Sequence, residues 1–326
     1  MAKPVPHFGS EDIQRWLPRL ARPHHAQYFA MYSSVLDGIV TDPRLMLVPA
    51  DDHMVHRGDG VFETVKCVNG SLYNLHAHLA RLAHSAQALS LSPPLAEGDL
   101  ADVLVQTIRA GGRPDCLVRI LVSRGPGGLG VNPYECPRSA LYVVVSELKK
   151  PFMAEHPQGA RVRASRLPPK PAPFAGIKSV NYALNVLMKK EAVDGAVDFV
   201  VSFDERGGLA EGATENAGIV TRDRVLRVPR PDRILVGTTM TRVLELAASR
   251  VADGLLRRIE HADIPRDDVA RAAEMLIFGT TPDVTAAVEF EGRAIADGKP
   301  GPVFRALSGL LLEDIRSNAR LHTRVF

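Results

Sequence analysis

Ile177-Lys178-Ser179-Val180-Asn181-Tyr182 is the stretch on which the reading of this chain turns. Pro168, Pro169, Pro171 and Pro173 come before it and make a stiff, extended approach. After it, Asn181–Val193 has helical spacing and runs into Gly195, a residue that ends helices. A lysine at a loop-to-helix junction is ordinarily just solvated. One that carries chemistry needs a protected pocket that lowers its pKa. Other segments must then supply the walls.

Three candidates for those walls lie far away along the chain. Gly58-Asp59-Gly60-Val61-Phe62-Glu63-Thr64 enters a strand, and His78-Leu79-Ala80-Arg81-Leu82 follows on a helix. Singly, these are a turn and a surface arginine. Leu209-Ala210-Glu211-Gly212-Ala213-Thr214-Glu215-Asn216 stands between two strand candidates. Gly207, Gly208 and Gly212 would equally suit a polar hairpin there. Gly237-Thr238-Thr239-Met240-Thr241-Arg242 opens a helix, and Gly279-Thr280-Thr281-Pro282 ends a strand. Hydroxyls and free N–H groups at a helix N-terminus make an anion site. Simple capping by Thr239 or Thr241 is the other reading.

In this order, G-D-G-V-F-E-T, H-L-x-R-L, I-K-S-x-N-Y and E-G-x-x-x-N resemble the class IV (fold-type IV) pyridoxal-phosphate-dependent aminotransferase family. The resemblance runs from about Tyr28 to the C-terminus. The family holds branched-chain aminotransferases, D-amino-acid aminotransferases and aminodeoxychorismate lyases. Met46 to Phe62 looks closest to the branch with plant D-amino-acid transaminase and lyase homologues. The resemblance implies pyridoxal 5'-phosphate as cofactor, with Lys178 as the Schiff-base lysine and later the proton carrier. It implies that Glu211 pairs with the cofactor's ring nitrogen and that Arg81 binds its phosphate. Thr280 and the Met240-Thr241 turn would complete the phosphate cradle, with Thr239-Met240-Thr241-Arg242 set against the family's G-I-T-R. Tyr182 would meet the ring hydroxyl, and Thr280 and Thr281 a substrate carboxylate. A homodimer is implied, with the site between two domains and a partner loop over it.

Arg119 sits in Val118-Arg119-Ile120-Leu121-Val122, where alternation turns it away from the valines and isoleucine. It then reads a substrate carboxylate or makes a structural ion pair. The following loop, Ser123-Arg124-Gly125-Pro126-Gly127-Gly128-Leu129-Gly130-Val131-Asn132-Pro133, mixes two signatures. S-R-G-x-G-G-x-G resembles the lyases, whereas G-V-N-P resembles branched-chain transaminases. The P-R-x-H carboxylate trap of typical bacterial D-amino-acid transaminases is absent. No G-K-[ST] follows, so the loop is not a P-loop. Gly125–Pro133 is expected at the substrate entrance, and His53 and His56, just before G-D-G, are minor candidates for lining the pocket. The leading expectation is an aminotransferase moving an amino group from an amino acid to a 2-oxo acid. The alternatives are an aminodeoxychorismate lyase and a non-catalytic pyridoxal-phosphate protein.

The rest of the chain agrees with this frame. Its 326 residues, 45% hydrophobic, suit two domains rather than one core. Expected are an extension over 1–27, a small α/β domain over 28–148, a linker over 149–158 and a larger mixed cofactor domain over 159–326. In the extension a short helix Glu11–Leu20 is capped by Ser10 and ended by Pro23 and His24-His25. The small domain carries helices Leu75–Leu89 and Asp99–Ala110 and strands Leu117–Ser123 and Leu141–Ser146. The large one carries strands Arg161–Ser165, Val197–Phe203, Ala217–Val220, Met275–Phe278 and Val284–Phe290, and helices Thr241–Asp253 and Pro302–Ser317. Strands and helices do not alternate regularly, so the class is α+β.

A net charge of +3 is too small for a nucleic-acid or membrane-surface protein. No apolar run nears the roughly 20 residues of a membrane span. Cys67, Cys116 and Cys136 are odd in number and unpaired in spacing, which fits a reducing cytoplasm. His76, His78 and His84 share no i, i+4 face and no completing carboxylate, so they are taken as surface or packing residues and no metal is expected.

Overall fold

The computed structural model describes residues 3–326. Two sheets organise them. The first has seven antiparallel strands in the order His322–Arg324, Ser71–Tyr73, Gly60–Val68, Cys116–Ser123, Ala140–Ser146, Tyr28–Ser33 and Gly38–Val40. Helices Leu75–Ala88 and Glu97–Gly111 cover one face. Leu79, Leu82, Leu104 and Ile108 pack there against Val65, Val118, Ile120 and Val143. Fully burying each such side chain contributes roughly 1.5–3 kcal/mol. A one-residue slip of Cys116–Ser123 would turn Val118, Ile120 and Val122 outward and Arg119 into the core, so the register is strongly specified.

The second sheet runs Arg258–His261, Val225–Val228, Asn216–Val220, Glu274–Gly279, Asp283–Phe290, Ala160–Ala164, Phe199–Phe203 and Leu209–Gly212, with Arg293–Ala294 pairing beside Asp283–Phe290. It closes on itself through Asn216 opposite Glu211, which makes a six-stranded barrel of the strands from Asn216–Val220 to Leu209–Gly212. Each barrel strand gives to one apolar cluster, among them Val162, Val201, Leu209, Ile219, Ile277 and Ala287. The barrel's outer side packs Leu276, Phe278 and Val284 on helices Thr238–Ala252 and Pro302–Ser317 through Met240, Val243, Phe304 and Leu307.

The α+β class and the main strands and helices are as read. The extension differs. Ser10–Asp12 and Leu17–Leu20 are 3₁₀ turns on either side of one α-turn, Ile13–Trp16. Gly9, not Ser10, takes the cap position, and its N–H donates to the Asp12 carboxylate at 3.0 Å. Pro18 lacks the N–H that a continuing helix would donate, so the helix breaks there. Pro23 opens a further 3₁₀ turn, Pro23–Gln27, rather than stopping one. Phe152–Glu155 forms one helical turn inside the stretch expected to be a polar linker. The chain also ends where the reading did not place it: His322–Arg324 pairs with Ser71–Tyr73 and so returns to the first sheet. Among the described residues no helix is long and apolar enough to cross a membrane.

Candidate active site

A cavity of about 370 Å³ opens between the two sheets, within the range of roughly 300–1,000 Å³ typical of small-molecule sites. The first sheet supplies Phe62, Thr64, Leu117, Arg119 and Leu121 from the face its helices leave free. The second unit supplies Lys178, Tyr182, Glu211, Gly237–Thr239 and Thr280–Pro282.

Backbone pairing joins two of the motifs. Val61 and Ser179 form an antiparallel bridge, the Phe62 N–H donates to Lys178 O at 3.0 Å, and the Val180 N–H donates to Gly60 O at 2.9 Å. Glycine is required at both ends of G-D-G. Gly58 closes helix His53–Arg57 at φ 64°, and a Cβ there would also lie 3.3 Å from Asn181 Cβ. At Gly60 a Cβ would meet Val122 O at 2.8 Å. The strand entry and the lysine segment are therefore one assembly.

Lys178 is buried, and its Nζ donates to Tyr182 Oη at 3.3 Å and lies 4.6 Å from the Phe62 ring centroid. Burial, aided by the Arg81 charge, lowers its pKa to about 8. An appreciable share of the amine is thus neutral at ordinary pH.

Glu211 stands at the barrel closure, walled by protein and open only to the cavity. Burial raises its pKa to about 7, opposed by the Leu235 N–H, which donates to Oε2 at 3.1 Å. Between about pH 4.5 and 7 the folded chain holds a proton here that the unfolded chain has released, so stability falls as pH rises through that window. The shift corresponds to at most roughly 3 kcal/mol. The melting temperature of cofactor-free protein should therefore drop less between about pH 5 and about pH 8 in Glu211→Gln than in the parent. Equal drops would show that Glu211 is ionised throughout.

Arg81 is held by a bidentate bond to Glu63, 2.7 and 2.8 Å, and donates to Val236 O at 3.0 Å. Glu63 is fully buried, yet the Arg81 and His78 hydrogen bonds outweigh burial and hold its pKa at about 2. Burial lowers the His78 pKa, so the ring is neutral. With its proton on Nδ1 it donates to Glu63 Oε2 at 2.7 Å, and Nε2 accepts from the Thr238 hydroxyl at 3.2 Å. Arg81, Glu63, His78 and Thr238 thus form one chain from the first sheet to the N-terminus of helix Thr238–Ala252.

That helix corrects the expected phosphate cradle. Gly237, Thr238 and Thr239 line the cavity. Met240 is 1% exposed and packs in the apolar core, and Thr241 opens onto a separate crevice on the other side. Helical phase is the reason, since two residues further on is a turn of about 200° around the axis. Arg242 lines that crevice too and is clamped by Asp314, at 2.9 and 2.6 Å.

Thr280, Thr281, Tyr182 and Arg119 all line the cavity. The Arg119 guanidinium carbon lies 5.9 Å from the Phe62 ring centroid and has no acidic partner among the described residues. The Gly125–Pro133 loop does not line the cavity of its own chain. It rests on segment 51–57, with Gly128 O 3.1 Å from His53 Nε2 and Gly130 O accepting from Arg57 at 2.9 Å. His53 and His56 likewise stay out of the cavity.

Sequence reasoning missed two residues. Lys170 lines the cavity with its Nζ 4.5 Å from the Tyr182 ring centroid, and burial lowers its pKa. The proline-rich setting hid it among residues taken as a spacer. His78 was taken as packing, and its place in H-L-x-R-L three residues before Arg81 was the available signal.

Residues 60–290 match the family model described as amino-transferase class IV. An Arabidopsis thaliana protein named D-amino-acid transaminase, chloroplastic, is 39% identical over 314 residues, which cover 96% of this chain and 83% of that one. The branched-chain-amino-acid aminotransferase of Pseudomonas aeruginosa is 27% identical over 280 residues, 83% of this chain and 88% of its own. Among solved structures, the T.th. branched-chain amino acid aminotransferase with pyridoxamine 5'-phosphate superposes with a TM-score of 0.83 at 26% identity. The match covers 92% of this chain and 99% of that one.

Proposed function

Since this chain belongs to the class IV aminotransferases, which are pyridoxal-phosphate enzymes, we propose that Lys178 is the residue that attaches the cofactor and moves the substrate proton. The observation that carries this is a buried amine with a pKa of about 8, aimed into the cavity that also holds Glu211 and Arg81.

The residues present fit the cofactor. Gly237 lets the Asn216 side chain pack against the helix N-terminus, where a Cβ would lie 1.9 Å from Asn216 Oδ1. The Thr238 and Thr239 N–H groups and the Thr239 hydroxyl stand at that end, near Arg81, and the Thr238 hydroxyl is committed to His78; N–H donors at a helix N-terminus beside an arginine suit a phosphate. Glu211, whose carboxyl has no ion-pair partner among the described residues, can accept a ring N–H. Pyridoxal phosphate, when bound, supplies an electron sink that lets an amino acid release its α-hydrogen as a proton. The Lys178 amine takes and returns that proton. Glu211 keeps the ring nitrogen charged, and the Tyr182 hydroxyl, 3.3 Å from Lys178 Nζ, orients the lysine. Phe62 and Leu121 exclude water from one side.

Arg119 reads a substrate carboxylate, and Thr280 and Thr281 receive one from the opposite wall. The lack of an acidic partner among the described residues favours this over a structural ion pair. A hydrogen bond to a charged group is worth about 1.5–3 kcal/mol, so Arg119→Gln should raise KM for at least one substrate roughly 10- to 100-fold with kcat little changed. If KM rises alike for glutamate and alanine, the group read is the α-carboxylate. If glutamate alone responds, it is the distal one. No change for either would refute the assignment.

The Arabidopsis relative's name places D-amino acids first among donors to test. Purified protein with cofactor is screened with D- and L-amino acids against 2-oxoglutarate or pyruvate, alongside aminodeoxychorismate. Amino transfer is expected, and p-aminobenzoate as the sole product would overturn the reading. The protein works as a homodimer in a reducing compartment. Exposed Val55, Leu129, Val131 and Tyr134 beside the cavity-remote loop support self-association. Three cysteines, odd in number and without C-x-x-C spacing, support the compartment.

A further inference from the structure

Phe62, Thr64 and Lys66 stand on one face of strand Gly60–Val68, two residues apart. Phe62 and Thr64 line the cavity. Lys66 continues the row below it and is 6% exposed. Its ammonium donates to Asp283 Oδ1, across the gap between the sheets. Both side chains are more than nine-tenths buried.

Asp283 directly follows the cavity-lining turn. It pairs with Gly279 across the base of Thr280-Thr281-Pro282. Its φ of 55° lies in the left-handed region, which aspartate tolerates better than most residues. The turn has no slack: a Cβ on Gly279 would lie 2.9 Å from Pro282 Cγ, and the Thr285 hydroxyl donates to Pro282 O at 3.1 Å. A rigid turn moves as a unit, so whatever holds Asp283 sets where Thr280 and Thr281 stand. Burying an ion pair is a poor way to gain stability, because desolvation offsets the attraction. Its directional demand is better suited to fixing one geometry between two sheets.

We propose that Lys66 and Asp283 are a positioning pair, which holds the Thr280–Thr281 turn at the distance from the first sheet where it receives a substrate carboxylate. This rests on the reading that the turn binds that carboxylate. Neither residue touches substrate. They act through the turn.

Valerate, a carboxylate without an amino group, separates this from loss of chemistry. On the holoenzyme, Lys66→Met should raise the valerate Ki and the amino-donor KM together, roughly tenfold, with kcat within about threefold. Lys66→Arg, which restores the charge, should return both to within about threefold of the parent. Should Lys66→Met fail to fold, Lys66→Met/Asp283→Asn leaves no unpaired buried charge and should show the same rise in Ki. A folded, cofactor-loaded variant whose melting temperature drops while Ki stays put overturns the proposal. Thr280→Val/Thr281→Val reports on the underlying reading. An unchanged Ki there sinks that reading, and a raised Ki there with none in Lys66→Met sinks only the positioning role.

Discussion

Lys178→Ala is expected to lose amino transfer by about 10⁴-fold or more, because in the proposed role one side chain carries both the attachment and the proton. The rest of the site should survive. Glu211, Arg81 and the Thr238–Thr239 end of the helix are held by bonds that do not pass through Lys178 Nζ. The variant should therefore still bind the cofactor, but without a covalent link. Borohydride treatment and peptide mapping of the parent should place the reduced adduct on the peptide with Lys178, and no adduct should form in the variant. An adduct on Lys170, the other cavity lysine, would move the whole assignment. Rate of capture gives a second readout. Only the neutral amine attacks, so cofactor capture by the apoprotein should rise with pH through about 8, the pKa to which burial lowers Lys178.

Glu63→Gln should be the most destabilising single change in the site. Removing one partner of a buried ion pair leaves the other charge uncompensated and typically costs about 3–5 kcal/mol. Glu63 has two partners, with Arg81 on one side and His78 on the other. An amide keeps the shape, but its NH₂ would face another donor. The melting temperature of the apoprotein should fall by roughly 6–15 °C for a chain of this size. The pH dependence should change as well. The Glu63 pKa lies near 2 in the folded chain against 4.5 otherwise, so its stabilisation is present above 4.5 and lost as pH falls towards 2. The variant should lack that share of acid sensitivity. A fall of less than about 2 °C would mean that Arg81 finds other acceptors as good. Loss of the relay should also free Thr238, so both sides of the phosphate site loosen together.

The sequence by itself determined the parts whose physics is local. Alternation turned Arg119 away from Val118, Ile120 and Val122. Helical spacing gave Leu75–Leu89, which ends one residue earlier at Ala88, and G-D-G marked the turn into the strand. The residues proposed to hold and use the cofactor, Lys178, Glu211 and Arg81, were legible because each lies in a short motif of its own. Tertiary structure decided which groups meet. Thr238 and Thr239, not Met240 and Thr241, face the cavity, because the phase of that helix is set by Met240 and Val243 packing on the barrel rather than by any cap signal. Lys170 reaches the site through a loop whose prolines say only that it is extended. His78 joins Thr238 across 160 residues, and Lys66 joins Asp283 across 217. No periodicity spans such distances. Contacts of that kind exist only once two sheets have packed at one angle and one separation.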